Sequence, residues 1–241
     1  MTKRIVDYEL EGWIRSLTAA SGGQTGSEPK VTWQQRVQYA VGHAINDYYT
    51  LIPAVRLHTP IQVLLNRRWP RNQDDFPDPC VYWQVYNRIV SQLTLITGMM
   101  VYDYPVALYE KWGTHAAGLD LHLSVIFQAV WQQRGNPDRV TVQKFLVEDN
   151  EELVRAFSHM TNVFWHSAFG RPPGAIEVYA LLDDRRHAIA GESLDLQASQ
   201  DYVQLLAEAW ESECRSASEK ERESGEAKSP ALGEPWRLGF S

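Results

Sequence analysis

Residues 140–149 read VTVQKFLVED, and at this point the spacing of the apolar residues changes along the chain. Val140 and Val142 alternate with other residue types, and the apolar run 145–147 follows them. Alternation combined with β-branched and aromatic residues indicates a β-strand. We therefore predict that a unit containing strands begins near residue 136.

The residues after this strand continue the pattern. Asp149 and Glu152 form a capping pair that predicts a helix to about Phe169. Alternating apolar residues over 176–182, the turn residues 183–185 and the run 187–190 predict a hairpin, and a last helix follows over about 194–215. Region 136–215 is therefore expected to be a small α+β unit of order β-α-β-β-α, a split βαβ pattern that lacks its last strand.

The residues before it have helical spacing instead. Thr32 and Gln35 form a capping box, and Asp78 followed by Pro79 begins a long apolar helix. A short helical segment is predicted to begin at Pro105. Apolar residues at positions 119, 123, 126, 127 and 130 have helical spacing and predict a further helix. We therefore expect a mainly α protein, with a helical region 1–135 packed on the unit 136–215, as one domain or two. Residues 216–229 have no apolar period, so the tail 216–241 is expected to be disordered.

The composition is that of an ordinary globular protein, with 241 residues, 44% apolar and 22% charged. Two cysteines are too few for a disulfide framework, which favours a reducing compartment. Asp7, Glu9 and Glu11 prevent a continuous apolar stretch near the N-terminus, so a secretory signal is not expected. The most apolar window, 89–108, contains polar residues and does not suit a membrane span. These observations predict a cytoplasmic protein without a membrane partner.

Charge is distributed unevenly. Residues 1–135 contain 12 basic and 11 acidic residues, a net charge of +1, whereas residues 136–210 contain 6 and 12, a net charge of −6. Residues 211–241 contain 5 and 7, which completes the total of −7. An acidic chain disfavours non-specific binding to phosphate backbones.

Aromatic residues are abundant, with 9 Trp, 11 Tyr and 7 Phe. They form either an aromatic-rich core or a face that binds a partner, where Trp and Tyr are enriched. Near the C-terminus, Trp236 and Phe240 follow a polar segment, an arrangement that suits docking of a short peptide onto another surface. The alternative is a frayed terminus.

One basic segment, Arg67, Arg68, Trp69 and Arg71, combines positive charge with an aromatic ring. Such a segment can contact a nucleic-acid backbone and stack on a base. Asp74, Asp75 and Asp78 follow it and partly cancel its charge. An acidic protein partner, or the acidic half of this chain, is therefore the favoured target, and nucleic acid is the alternative.

His43 and Asp47 have the i, i+4 spacing of helical metal ligands, with His115 or His122 as a third ligand. The alternative is a histidine at the core edge beside a carboxylate. The sequence contains no HExxH motif to support a metal site.

Asp149, Asp183 and Asp184 are the other metal candidates. A strand that ends in an acid and a hairpin turn with two acids resemble the arrangement that holds two Mg²⁺ ions in nucleotidyl transfer. Ordinary capping and turn chemistry explain the same residues.

Searches for nucleophile elbows, phosphate-binding loops and dinucleotide fingerprints find none in this sequence. We therefore expect no cofactor, and a non-catalytic cytoplasmic binding or assembly protein. It would bind copies of itself or act as a subunit or adaptor of a larger complex, such as a phage particle or a defence complex. A metal-dependent enzyme, a hydrolase or a nucleotidyl transferase, is the first alternative, and a nucleic-acid-contacting subunit is the second.

Overall fold

A computed structural model describes residues 3–20, 32–100, 103–133 and 136–224. The helices are α1 Asp7–Ala20, α2 Trp33–Thr50, α3 Pro53–Arg56, α4 Ile61–Arg68, α5 Pro79–Met99, α6 Glu151–Phe169 and α7 Leu196–Ser224. The strands are β1 Lys3–Val6, β2 Ala107–Ala116, β3 Leu121–Gln133, β4 Asn136–Leu146, β5 Ala175–Ala180 and β6 Arg185–Ala190. The chain divides into two units, Met1–Gln204 and Leu205–Ser241, and all the described strands lie in the first. Among the described residues, no helix is both long enough and apolar enough to cross a bilayer.

The strands form one mixed six-stranded sheet in the order β1-β3-β4-β5-β6, with β2 also paired to β3. β3 is antiparallel to β2 and β4, whereas β4 and β5 are parallel and are joined through α6. β5 and β6 form the predicted hairpin, with Asp184 in the left-handed conformation at its turn. The strand predicted near 140–147 and the helix predicted to end at about Phe169 are likewise confirmed, as β4 and α6.

The prediction of a mainly α protein with a helical region 1–135 is wrong. Residues 107–133 form β2 and β3, and β1 precedes α1, so the region predicted to be helical contributes three strands to the same sheet as β4–β6. Both faces of β3 are buried, as in Leu123, Ser124 and Val125. A strand buried on both faces is a nearly continuous apolar run, which periodicity cannot distinguish from a buried helix.

The predicted end of the last helix is also wrong. α7 continues through Ser224, nine residues beyond position 215. α7 contains no Gly or Pro, and Gly225 follows its last residue. Local propensity therefore favours a helix although apolar residues are sparse. Residues 225–241, the remainder of the predicted disordered tail, lie outside the described residues.

Successive side chains of β4 point toward two different layers of helices. Gln143 and Phe145 face the core formed with α2, α4 and α5, in which Phe145 is fully buried. Lys144 faces the opposite layer, where it contacts residues of α1 and the Phe157 ring of α6. Because successive side chains of a strand point to opposite faces, helices cover both sides of the sheet.

Two glutamine side chains complete the backbone hydrogen bonds where β4 separates from β3. The Phe145 amide donates to Oε1 of Gln128 at 2.6 Å, and its carbonyl accepts from Nε2 of Gln38 at 2.5 Å. Oε1 of Gln38 also accepts from the Val147 amide at 3.1 Å. Buried backbone groups require partners, so Gln38 connects α2 directly to the sheet.

Replacing Gln38 with Leu is expected to lower the free energy of unfolding by about 2–3 kcal/mol, because two buried backbone groups lose their partner. Urea denaturation measures the change. Gln62→Leu is the matched control: Gln62 is exposed and donates to the Tyr86 hydroxyl at 3.0 Å, so we expect a loss below about 1 kcal/mol. Equal losses in the two variants would contradict the role given to Gln38.

Candidate functional site

A cleft of about 630 Å³ opens on the face of the sheet covered by α2 and α5. Its volume is in the range of ligand-binding pockets. The end of α5, the residues after it, and strands β3 to β6 form its walls and floor, namely Met99, Met100, Asp103, Tyr104, Trp131, Gln132, Gln133, Thr141, Glu177, Tyr179 and Arg186.

The floor is a row of hydrogen-bonded side chains that crosses four neighbouring strands. Trp131 of β3 donates to Gln143 of β4 at 2.7 Å, and Gln143 donates to Glu177 of β5 at 2.9 Å. From β6, Arg186 donates to the same carboxylate at 2.5 Å. The Tyr179 hydroxyl also donates to Glu177, at 2.8 Å. Strand pairing thus fixes the position of each polar group in the floor.

The ionisable groups of the floor neutralise each other. Burial raises the pKa of Glu177, but hydrogen bonds from Gln143, Arg186 and Tyr179 outweigh this effect, and the pKa is lowered overall. Burial and the Glu177 charge raise the pKa of Tyr179. Glu177 is therefore ionised and paired with Arg186 at neutral pH, and Tyr179 keeps its proton.

Arg56 holds one wall of the cleft in place. Its side chain is almost completely buried, at 2% exposure. It donates to the carbonyl oxygens of Tyr49 and Leu51, both at 2.7 Å, and of Asp103 at 2.5 Å. Its guanidinium carbon lies 4.9 Å from the centroid of the Tyr104 ring. Asp103 and Tyr104 are therefore fixed to α2 and α3.

Large apolar side chains near the end of α5 and just before β2 are exposed, and we call this group the apolar shelf. It consists of Leu95, Met99, Tyr104 and Val106, which are 60%, 64%, 60% and 58% exposed. Leu95 and Met99 are four residues apart on α5 and share one face of the helix. Met99 and Tyr104 also line the cleft, so the shelf and the cleft are continuous.

A second polar cluster lies on the opposite face of the sheet. Nζ of Lys144 is 2.9 Å from Glu11 and 4.0 Å from Asp7, and Arg15 is 3.0 Å from Glu11. Burial raises the pKa of Asp7 to about 6. Burial also acts to raise the pKa of Glu11, but Lys144 and Arg15 outweigh it and hold the pKa at about 2. The adjacent cavity has only about 20 Å³, so this cluster contributes to stability and has no room for a substrate.

One serine and one histidine have the distance of a nucleophile and its base. Nδ1 of His159 lies 2.9 Å from Oγ of Ser199, and Asn162 donates to the same oxygen at 2.9 Å. Ser199 is fully buried and donates to the Asp195 carbonyl at 2.8 Å. A substrate cannot reach this hydroxyl, so the group anchors the first turn of α7 to α6.

The predicted Mg²⁺ ligands are paired with other residues. Asp149 pairs with Arg185 and with His187, the latter at 2.7 Å, and its amide donates to Asp183 at 2.6 Å. Asp184 lies 3.4 Å from Arg88. These contacts join the β5–β6 turn to α5 and to the residues before α6.

Asp149 is not the N-cap of α6, contrary to the prediction. Asn150 has that position, and its side chain accepts from the Leu153 amide at 3.0 Å.

The histidine candidates do not form a metal-binding group among the described residues. His43 is 9% exposed on α2 and stacks edge-on against Tyr39, and burial, then Arg68, lowers its pKa against the opposing effect of Asp47. His115 and His122 are paired across β2 and β3, where His115 lies 3.5 Å from Asp120 and His122 lies over Gly113. Among the described residues, no three His, Cys, Asp or Glu side chains group closely enough to bind a metal ion.

The basic segment is divided between surface and core. Arg67, Arg68 and Arg71 are exposed, whereas Trp69 is 5% exposed and packs against Tyr86 with ring centroids 5.1 Å apart. The Trp69 ring is therefore part of the core and presents no face to a base. Trp236 and Phe240, the other predicted binding residues, lie outside the described residues.

Sequence reasoning missed the residues of the floor. Glu177 and Tyr179 alternate with the apolar residues of β5, a pattern that predicts outward side chains, yet they are 8% and 7% exposed. A Glu and a Tyr two positions apart on a strand were the available signal. Their partners Gln143 and Arg186 come from other strands, which the local sequence does not bring together.

No protein-family model matches this chain, and a search of curated proteins gave no significant match. The residues of the chain and their geometry are therefore the basis for inferring what it binds.

Proposed function

We propose that this chain is a cytoplasmic binding protein that associates with copies of itself or serves as a subunit of a larger complex. The cleft and the apolar shelf are its contact surface. The observation that carries this proposal is the shelf. Its residues Leu95, Met99, Tyr104 and Val106 are each more than half exposed, and Met99 and Tyr104 line the open cleft. Single exposed apolar side chains are normal, whereas exposed apolar side chains that line a concave site favour an interaction surface.

The chemistry of the cleft supports association with protein. Its floor offers aromatic and amide groups, and its charges, Glu177 and Arg186, are already paired with each other. Methionine side chains such as Met99 and Met100 adapt to irregular apolar surfaces. Aromatic and methionine side chains are also enriched at the centre of protein interfaces. These features suit a polypeptide partner with apolar anchors.

Replacing Met99 with Asp is expected to abolish concentration-dependent association of the purified full chain, because it places a charge in the centre of the shelf. Sedimentation velocity over a dilution series measures the change. Stability is expected to change by less than about 0.5 kcal/mol, since the side chain is 64% exposed. Val63→Asp, at a 48% exposed apolar position on α4, is the matched control and is expected to associate normally.

A photo-crosslinking residue at position 99 tests the same surface for other partners. Crosslinked products from position 99, and their absence from position 63, would support the proposal. A full chain that stays monomeric at every soluble concentration and gives no product from position 99 would contradict it.

A further inference from the structure

We propose that the cleft and the apolar shelf bind residues 235–240 of a second copy of this chain. This segment has the sequence Pro-Trp-Arg-Leu-Gly-Phe, and we call it the aromatic segment. The inference rests on the proposed function and names the partner of the same surface.

The first argument is spacing. Trp236, Leu238 and Phe240 alternate with other residues, so in an extended chain they share one side at intervals of about 6.6 Å. Leu95 and Met99 are four residues apart on α5, which places them about 6 Å apart along the helix. An extended segment can therefore align successive apolar side chains with successive apolar positions of the shelf.

The second argument is charge. The aromatic segment contains one charged residue, Arg237, and in an extended conformation it lies on the side opposite to Trp236 and Leu238. The apolar side would enter a cleft in which Glu177 and Arg186 neutralise each other. The apolar side of the segment therefore adds no charge to the Glu177–Arg186 pair of the floor, where an added charge would be costly.

The third argument is that the receptor is pre-formed. Tyr104 is 60% exposed, yet its ring lies against the buried Arg56 guanidinium, which also holds the Asp103 carbonyl. Gln133 donates to Thr141 at 3.3 Å on the cleft wall, so their amide and hydroxyl groups are placed to meet a peptide backbone. A surface fixed in advance loses less conformational entropy when it binds.

We favour a second copy over an unrelated protein, because the sequence of this chain itself contains the aromatic segment. Ten residues, 225–234, connect the end of α7 to the aromatic segment and span at most about 36 Å when extended. Exchange of the segments between two copies makes two equivalent contacts in one closed dimer. Two linked contacts reinforce each other, which compensates for the small size of each.

The test uses a labelled peptide of residues 230–241 and, as receptor, the full chain carrying Trp236→Ala and Phe240→Ala, so that the receptor's own segment does not compete. Fluorescence anisotropy is expected to detect binding. Met99→Asp in the receptor, or Trp236→Ala in the peptide, is expected to weaken binding at least tenfold, and Val63→Asp is expected to leave it unchanged. Circular dichroism melting checks that each receptor variant is folded.

Sedimentation of the full chain completes the test. Loss of self-association in the Trp236→Ala, Phe240→Ala variant, with restoration of monomers when free peptide is added to the unsubstituted chain, would support the proposal. Absence of peptide binding, or equal binding to the Met99→Asp receptor, would overturn it. Peptide binding by a chain that stays monomeric would overturn exchange between copies. If the peptide does not bind but position 99 still crosslinks to another protein, only this inference fails and the proposed function stands.

Discussion

Replacing Lys144 with Met is expected to lower the free energy of unfolding by about 3–5 kcal/mol at pH 7. Lys144 is 7% exposed near the end of β4, with its amino group 2.9 Å from Glu11 and 4.0 Å from Asp7. Met fills a similar volume but leaves two buried carboxyl groups without this cation. The loss therefore comes mainly from uncompensated charge.

The dependence on pH identifies that cause. In the unsubstituted chain, Glu11 has a pKa of about 2, below its ordinary value of 4.5, so its stabilising effect is present above pH 4.5 and is lost as the pH falls toward 2. Asp7 has a pKa of about 6, above its ordinary value of 3.8. Its effect therefore favours the folded state below pH 3.8 and is lost as the pH rises through 6.

Removing the cation raises the pKa values of both carboxyl groups. The penalty of Lys144→Met should consequently be largest near pH 7 and shrink as the pH is lowered toward 4, where the buried carboxyl groups take up protons. Urea denaturation at pH 7, 5.5 and 4 measures this change. Lys111→Met is the control, because Lys111 is exposed on β2. A penalty that is the same at all three pH values would indicate a packing defect and contradict the electrostatic explanation.

Replacing Arg56 with Met is the second large effect, with an expected loss of about 2–4 kcal/mol in the free energy of unfolding. The side chain donates to the carbonyl oxygens of Tyr49, Leu51 and Asp103, which would lose a buried donor. Part of this cost is offset because a charge no longer has to be buried. Guanidinium chloride or urea denaturation measures the net change.

The same variant should also loosen the wall of the cleft, since the Tyr104 ring loses its contact with the guanidinium group. Hydrogen exchange of residues 103–108 is expected to accelerate more than that of α6. Arg88→Met is the matched control: Arg88 donates to the Leu182 carbonyl at 3.3 Å and pairs with Asp184, but its side chain is 44% exposed, so a loss below about 1 kcal/mol is expected. Equal losses for the two arginines, or unchanged exchange at 103–108, would contradict the role given to Arg56.

Elements with their own start and stop signals could be predicted. Thr32 and Gln35 form the expected capping box of α2, and Asp78 caps α5 by accepting from the amides of Cys80 and Val81. The hairpin of β5 and β6 was recognised because alternation and turn residues agree. β3 was not, because a strand that is buried on both faces does not show the alternation by which a strand is recognised. β2 was also missed, although most of its residues are exposed or half-buried.

The binding surface was beyond sequence reasoning for a different reason. Trp69 was selected as a binding residue because basic residues surround it in sequence, but in the fold it packs with Tyr82 and Tyr86. Leu95 and Met99 belong to the long apolar helix α5, and the apolar character of this helix favours burial, yet both side chains are exposed. A residue's type does not specify which face of its helix meets the core.

The sequence by itself determined the local elements at caps and turns, the acidic balance and the aromatic content, because these depend on residues that are close together along the chain. The tertiary structure decided the six-stranded sheet, the neutralised row from Trp131 to Arg186 and the exposed shelf. These features join residues far apart in sequence. Pairing of β3, β4, β5 and β6 places their side chains in one row, and hydrogen bonding and burial then set the charge state of each group.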